Sequence, residues 1–167
     1  MRLHSLILPI LAFSAVCLPL AAQEARFGVQ AAVAFPTGDL SDNADLGLQF
    51  GGHVRWNFGS GNGLMARADF TTYGSKNDVS TSSFAVAADY TYHVNRNPLG
   101  LYFLAGLSMQ DCHRDFPYGS IHDNGLGIDL GVGYDLNHNL GVQARITTQS
   151  ADNGNLTALN LGATYTF

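Results

Sequence analysis

Large apolar residues alternate with small or polar residues along most of this chain. In the first such stretch, Phe27 and Val29 share one side, while Arg26 and Gln30 share the other. A period of two is that of a β-strand, in which successive side chains point to opposite faces. The pattern predicts eight strands, at Ala25–Phe35, Gly47–Phe58, Leu64–Tyr73, Ser83–Val94, Leu99–Gln110, Gly125–Leu136, Leu140–Gln149 and Thr157–Phe167.

The connections between these strands alternate in length. The longer ones are residues 36–46, 74–82, 111–124 and 150–156, and the shorter ones are residues 59–63, 95–98 and 137–139. Short turns at one end and longer loops at the other are typical of an antiparallel up-and-down barrel that crosses a membrane. We therefore predict an all-β fold, a transmembrane eight-stranded antiparallel meander.

The size of the side chains predicts which face meets lipid. An eight-stranded barrel leaves an interior only wide enough for side chains to fill, so the face of small and polar residues belongs inside. No Asp, Glu, Lys or Arg falls on the bulky face, where a charge at mid-bilayer costs up to about 2–4 kcal/mol. Met65 and Leu104 are exceptions to the alternation, because they are large apolar residues on the small and polar face. The alternative is a soluble, lipocalin-like barrel with the faces reversed.

Charged residues on the predicted inner face balance one another. Because buried charges need partners, we expect an interior network of these side chains, joined by Gln30, Gln143 and Tyr102. Its ionisable members are Arg26, Arg55, Arg67, Arg145, Asp69, Asp89, Asp129, Asp135, His53 and His93.

Aromatic residues collect on the bulky face near the strand ends. Such rings suit the two membrane–water interfaces, although aromatic residues are enriched in strands of every kind. The predicted interfacial rings are Phe27, Phe35, Trp56, Phe58, Tyr73, Tyr92, Tyr134, Tyr165 and Phe167.

The N-terminal segment has the features of an export signal. Arg2 and His4 precede an apolar run over residues 6–20, and Ala21-Ala22 offers small residues for cleavage. We expect residues 1–22 to be a cleavable signal peptide and residues 23–167 to form one barrel domain. Cys112 is then the only remaining cysteine, which excludes an intramolecular disulfide.

Composition narrows the choice of partners. Charged residues make up 13% of the chain, against about 25% in a typical soluble domain. Behind the signal, acidic side chains outnumber basic ones by six, which disfavours nucleic-acid binding. The excess lies in the longer loops, where Lys76 and Arg114 face the acids Asp39, Asp42, Asp45, Asp78, Asp111, Asp115, Asp123 and Asp152.

The last seven residues, Leu161-Gly-Ala-Thr-Tyr165-Thr-Phe167, alternate and end on an aromatic ring. This ending resembles the C-terminal signature of bacterial outer-membrane barrels, and residues 23–167 as a pattern resemble the family of eight-stranded outer-membrane β-barrel domains. The resemblance implies integral insertion in the outer membrane, with loops outward, lipid around the wall, and recognition of Tyr165 and Phe167 by the barrel-assembly machinery. It also implies escort by periplasmic chaperones.

Three functions remain open at this point. We expect a structural or surface-interaction barrel that is a monomer, with no cofactor and no catalytic residues. The first alternative is a narrow or gated porin-like channel, because many interior residues are glycine. A lipid-modifying enzyme built on Ser108 and a lumen histidine ranks lower, as does a metal site of Cys112, His113, His122 and Asp123, whose spacing is unlike that of zinc sites.

Overall fold

The alternating stretches form eight antiparallel strands in the computed structural model of the chain, which describes residues 24–77, 79–151 and 154–167. Each strand pairs with the next, and β1 also pairs with β8, which closes the barrel. The predicted fold is thereby confirmed. The strands are β1 Arg26–Thr37, β2 Ala44–Gly59, β3 Asn62–Ser75, β4 Ser80–His93, β5 Gly100–Phe116, β6 Gly119–Asp135, β7 Leu140–Ala151 and β8 Gly154–Thr166.

Two ends of the barrel can be told apart. One carries the start of β1 and the end of β8, and we call it the terminal end. The other carries the β5–β6 turn and a short 3₁₀ turn, Gly38–Asp42, between β1 and β2, and we call it the loop end. Among the described residues, no helix is long and apolar enough to span a bilayer. The predicted signal peptide, Asp78 and Asp152 lie outside the described residues.

The outer wall is apolar and the lumen is polar. Leu107 on the wall is 65% exposed, whereas Asp89 and Arg145 in the lumen are fully buried. The apolar wall ends sharply towards the loop end, where the register pair Met109 and Leu126 is followed by Asp111 and Asn124. Strand residues beyond that pair therefore lie outside the lipid-facing band.

The strands extend further towards the loop end than predicted. The prediction of a loop over residues 111–124 is wrong, because β5 and β6 stay paired up to Phe116 and Gly119. A strand needs apolar outward residues only where lipid surrounds it, so the apolar pattern stops at the band while the backbone pairing continues. The same reason explains why β2 and β4 begin three residues earlier than predicted.

Two apolar clusters interrupt the polar lumen. Met65 and Leu104, the two apparent exceptions to the alternation, do point inward and pack with Tyr102. Nearer the loop end, the second cluster corrects two predictions: Tyr73 is not an interfacial ring, and Cys112 is not a surface-loop cysteine. Both are buried, because their positions on β3 and β5 share the inward parity. The members of this mouth cluster are Ala34, Leu40, Ala44, Tyr73, Cys112, Leu156 and Ala158.

Candidate functional site in the barrel lumen

The middle of the lumen holds five fully or almost fully buried ionisable side chains, which we call the central charge layer: Arg67, Asp69, Asp89, Asp129 and Arg145. Arg67 Nε donates to Asp89 Oδ2 at 2.7 Å, and its Nη1 donates to Asp69. Arg67 Nη2 lies 2.7 Å from Asp129 Oδ2 as an ion pair that lacks hydrogen-bond alignment. Arg67 therefore forms ion pairs with three carboxylates at once.

Arg145 reaches the same layer from the opposite wall. Its Nη2 donates to Gln49 Oε1 at 2.9 Å and to Asp69 Oδ2 at 3.2 Å. With two guanidinium groups and three carboxylates, the layer carries unequal numbers of formal charges. Neutral donors meet part of the remaining acceptor capacity, since Gln30 donates to Asp69 and Thr147 donates to Asp129.

Glycines make room for the buried carboxylates. Gly51 is the register partner of Asp69, and Gly106 lies between Asp89 and Asp129 on the neighbouring strands. A Cβ at Gly51 would overlap the Asp69 carboxylate, and one at Gly106 would overlap that of Asp89. The small inner residues that predicted the lumen face are thus the positions over which the acids fold.

A second ionic group lies towards the terminal end. Arg55 Nη1 donates to both carboxylate oxygens of Asp135 at 3.0 and 3.1 Å, and Arg55 Nη2 donates to Tyr102 Oη at 3.0 Å. His93 Nε2 lies 3.0 Å from Asp135 Oδ2. His53 stands apart from these groups, because its Nε2 is 3.0 Å from Thr166 Oγ1.

Arg26 is a correction to the predicted network. Its Nη2 donates to the backbone oxygens of His138 at 2.6 Å and Phe167 at 3.4 Å. Because Arg26 is the first residue of β1, it lies at the terminal rim, where it bonds these backbone oxygens instead of a lumen carboxylate. The sequence pattern also passed over Gln49 and Thr147, although both share the inner parity that singled out Gln30 and Gln143.

Two small cavities lie on either side of the central charge layer. One, of about 20 Å³, is lined by residues that include Leu40, Tyr73 and Arg67. The other, of about 10 Å³, is lined by Arg55, Asp135 and other residues of the terminal end. Each has room for about one water, and they have no lining residue in common. The lumen of the described barrel is therefore divided by its charged side chains.

The candidate metal ligands separate onto two faces. Cys112 and Asp123 point inward, where Asp123 pairs with Arg114, while His113 and His122 point outward. Among the described residues, no group of three or more His, Cys, Asp or Glu side chains is placed to hold a metal ion. In the same part of the chain, the buried Ser108 hydroxyl makes no hydrogen bond to another described residue.

The loop end offers a different kind of site, an open strand edge. The pairing of β6 with β7 ends at Gly127 and Gln149, whereas its pairing with β5 continues to Gly119. β7 still lies against Gly125, since a Cβ at that position would be 2.5 Å from Ser150 O. Within the described ranges, residues 119–124 therefore have a strand partner on one side only, and we call them the open edge. The neighbouring outward side chains are Asp111, His113, Asp115 and His122.

Comparisons with known proteins agree with this geometry. A family model described as outer membrane protein beta-barrel domain matches residues 8–167. No curated protein matches the chain. Among solved structures, the barrel is similar to Ail, the attachment invasion locus protein of Yersinia pestis, with a TM-score of 0.60 and 19% identity over 87% of this chain and 99% of that chain.

Two further structures have the same architecture. The neisserial surface protein A, NspA, gives a TM-score of 0.60 and 16% identity over 86% of this chain and 97% of that chain. The N-terminal β-barrel domain of Pseudomonas aeruginosa OprF gives 0.57 and 17% identity over 87% of this chain and 98% of that chain. At these identities the likeness concerns the fold.

Proposed function

Since this chain belongs to the outer membrane protein beta-barrel domain family and is an integral protein of the bacterial outer membrane, we propose that it is a closed, surface-binding barrel. Its loop end faces the outside of the cell and its terminal end the periplasm, as the short turns at the terminal end suggest. The wall binds outer-membrane lipid, the lumen serves as a polar core, and the protein acts as a monomer that makes contact through its outer loops.

The observation that carries this proposal is the open edge at residues 119–124. An unpaired strand edge presents backbone N–H and C=O groups to which an extended peptide can add as a further strand. The edge stands beyond the lipid-facing band, so that a partner reaches it from the medium without entering the membrane. We infer that an extended polypeptide segment of another protein pairs there.

The charge of the outer loops narrows the chemistry of the partner. At the loop end, eight acidic residues stand against two basic ones in the sequence. Arg114 pairs with Asp123 inside the lumen, whereas Asp111 and Asp115 are exposed and flank the open edge on β5. Complementary charge speeds association and suppresses wrong partners. We therefore propose a basic segment. Ail has been solved with sucrose octasulfate, a heparin analogue, whereas this loop set disfavours a polyanion.

Peptide binding to the refolded barrel in detergent micelles tests the proposal. The probe is a ten-residue peptide of alternating Thr and Lys, and its matched control is the same peptide with alternate backbone nitrogens methylated. We expect the unmodified peptide to bind and to slow amide hydrogen exchange across residues 119–124. Equal binding of the methylated peptide, or protection elsewhere on the barrel, would overturn strand pairing as the mode of contact.

The channel remains the second candidate, because two cavities flank the central charge layer and a change of ion-pair partners there would join them. A closed barrel predicts no defined conductance in planar bilayers. A reproducible ion-selective conductance that Arg145→Ala or Asp129→Ala alters would favour the channel instead.

A further inference from the structure

The 3₁₀ turn Gly38–Asp42 closes the mouth of the barrel at the loop end. Leu40 is its buried residue, 2% exposed, and its side chain belongs to the mouth cluster with Tyr73, Cys112 and Leu156. A surface turn ordinarily keeps its apolar side chains few and its polar groups in water. Here the side chain of Leu40 points from the turn into the lumen and closes its mouth.

The turn is fastened by polar contacts from other loops and not by the barrel ladder. The pairing of β1 with β2 ends at Ala34 and Gly47. Beyond it, Lys76 Nζ donates to Ser41 O at 2.6 Å, Asn77 Nδ2 donates to Asp42 O at 3.2 Å, and Asn155 N donates to Asp39 Oδ2 at 2.9 Å. Among the described residues, releasing the turn therefore breaks three polar contacts at the rim but no bond between β1 and β2.

A residue suited to a hinge stands at the start of the turn. Gly38 has a φ of +59°, in the left-handed region that glycine adopts without strain. Nothing lies within 4 Å of the position that a Cβ would occupy there. Hinges are commonly a few loop residues that absorb the change in backbone angles.

The space under Leu40 is closed below as well as above. Leu40 and Tyr73 line the cavity of about 20 Å³, whose lining also includes Arg67 of the central charge layer. The ion pairs of Arg67 with Asp69, Asp89 and Asp129 do not involve the turn that carries Leu40. Leu40 and the central charge layer thus close the described lumen at two successive levels, and they share no ion pair or hydrogen bond.

We propose that the turn Gly38–Asp42 is a hinged plug, and that withdrawal of Leu40 opens a vestibule to the cell exterior while the central charge layer keeps the barrel shut to the periplasm. The device is independent of partner binding at the open edge. It gives the outer mouth a pocket that appears only when the plug leaves.

Cys112 reports on the plug, because its thiol is 1% exposed within the mouth cluster. It lies beyond the lipid-facing band, and burial raises the pKa of this thiol to about 11. A thiol is modified through its thiolate, so Cys112 reacts slowly while the plug is seated and faster once the mouth is open to water.

The test is the rate at which a small, membrane-impermeant methanethiosulfonate cation modifies Cys112 in intact outer membranes. Cys17→Ser serves as the background, so that Cys112 is the sole thiol whether or not residues 1–22 are cleaved. Lys76→Ala removes one fastening and Leu40→Ala removes the side chain that closes the mouth. We expect the rate to rise at least about tenfold in both. Arg96→Ala, a basic residue in a turn at the terminal end, is the control and should leave the rate unchanged.

Two further readouts keep the outcome decisive. Heat-dependent gel mobility should be the same in all variants, and none should conduct in planar bilayers. The proposal is overturned if the modification rate of Cys112 stays unchanged in both Lys76→Ala and Leu40→Ala, or if it rises only under conditions that unfold the barrel. A conductance in Leu40→Ala would also overturn it. Should Leu40→Ala fail to assemble, Lys76→Ala carries the test alone.

Discussion

Arg145 Nη2 lies 3.2 Å from Asp69 Oδ2, and neither side chain is exposed to solvent. Arg145 belongs to β7 and Asp69 to β3, which are four strands apart in a closed ring of eight. The ion pair therefore joins opposite walls of the barrel through its centre. Contacts between neighbouring strands are already made by the backbone ladder, so this pair braces the barrel in a direction that the ladder does not.

Replacing Arg145 by Met should destabilise the barrel strongly. The change leaves Arg67 alone among three carboxylates, and removing one partner of a buried ion pair typically costs about 3–5 kcal/mol. The measurement is the urea dependence of folding into lipid vesicles, read from the difference in mobility between heated and unheated samples on a gel.

The double variant Arg145→Met, Asp69→Asn is the internal control for that loss. If the two side chains interact directly, the double variant should recover part of the stability, with a coupling of about 0.5–3 kcal/mol typical of residues in contact. Strict additivity of the two single changes would contradict the brace.

Gly51 and Gly52 are adjacent on β2 but face opposite sides of the wall. A Cβ at Gly51 would overlap the Asp69 carboxylate and the Ala68 carbonyl, whereas the nearest atom to one at Gly52 is 3.7 Å away. We expect Gly51→Ala to lower stability by about 1–3 kcal/mol, as overpacking does. Gly52→Ala should be neutral or raise it by up to about 1 kcal/mol. The same folding assay measures both, and equal effects would mean that the lumen relaxes around the added methyl group.

The height of the lipid-facing band can be checked along β6. Ile128 is 53% exposed on the apolar wall, and Asn124 is the register partner of Asp111 beyond the band. Ile128→Lys should cost about 2–4 kcal/mol and Asn124→Lys no more than about 1 kcal/mol, because the penalty of a charge falls with distance from the bilayer centre. A large loss from Asn124→Lys in the vesicle assay would raise the boundary and place the open edge nearer to lipid.

The alternation of residues was sufficient to predict the number of strands and the side of each residue, since a period of two carries both. It could not predict how far the strands continue above the lipid, as at β5 and β6, because no apolar requirement acts there. Nor could it tell inner residues at different heights apart. Arg26 and Arg67 have the same parity, yet only the stagger of the strands decides that Arg67 meets the acids and Arg26 meets the terminal rim.

The burial of Leu40 in the barrel mouth could not be predicted from the sequence, for a related reason. Leu40 lies in a segment without alternation, and a single leucine in a loop carries no periodic signal. Its burial depends on Tyr73, Cys112 and Leu156, which come from three other strands. Tertiary contacts of this kind follow from closure of the barrel and not from any local pattern.

The predicted assembly signal can be separated from stability at Phe167. Its ring packs edge-on against that of Tyr165, with 5.4 Å between the ring centroids. Its backbone N–H donates to Phe27 O at 2.7 Å. Phe167→Ala keeps the backbone bond and removes an aromatic pair worth about 0.5–1.5 kcal/mol, so folding into vesicles should change little. If the barrel-assembly machinery recognises the terminal ring, the amount of heat-modifiable barrel in the outer membrane should nevertheless fall several-fold.

Leu161→Ala, on the same face of β8 but away from the terminus, is the control and should lower the yield of barrel only in proportion to its effect on stability. Equal losses from the two variants would make the last residue of this chain an ordinary lipid-facing side chain.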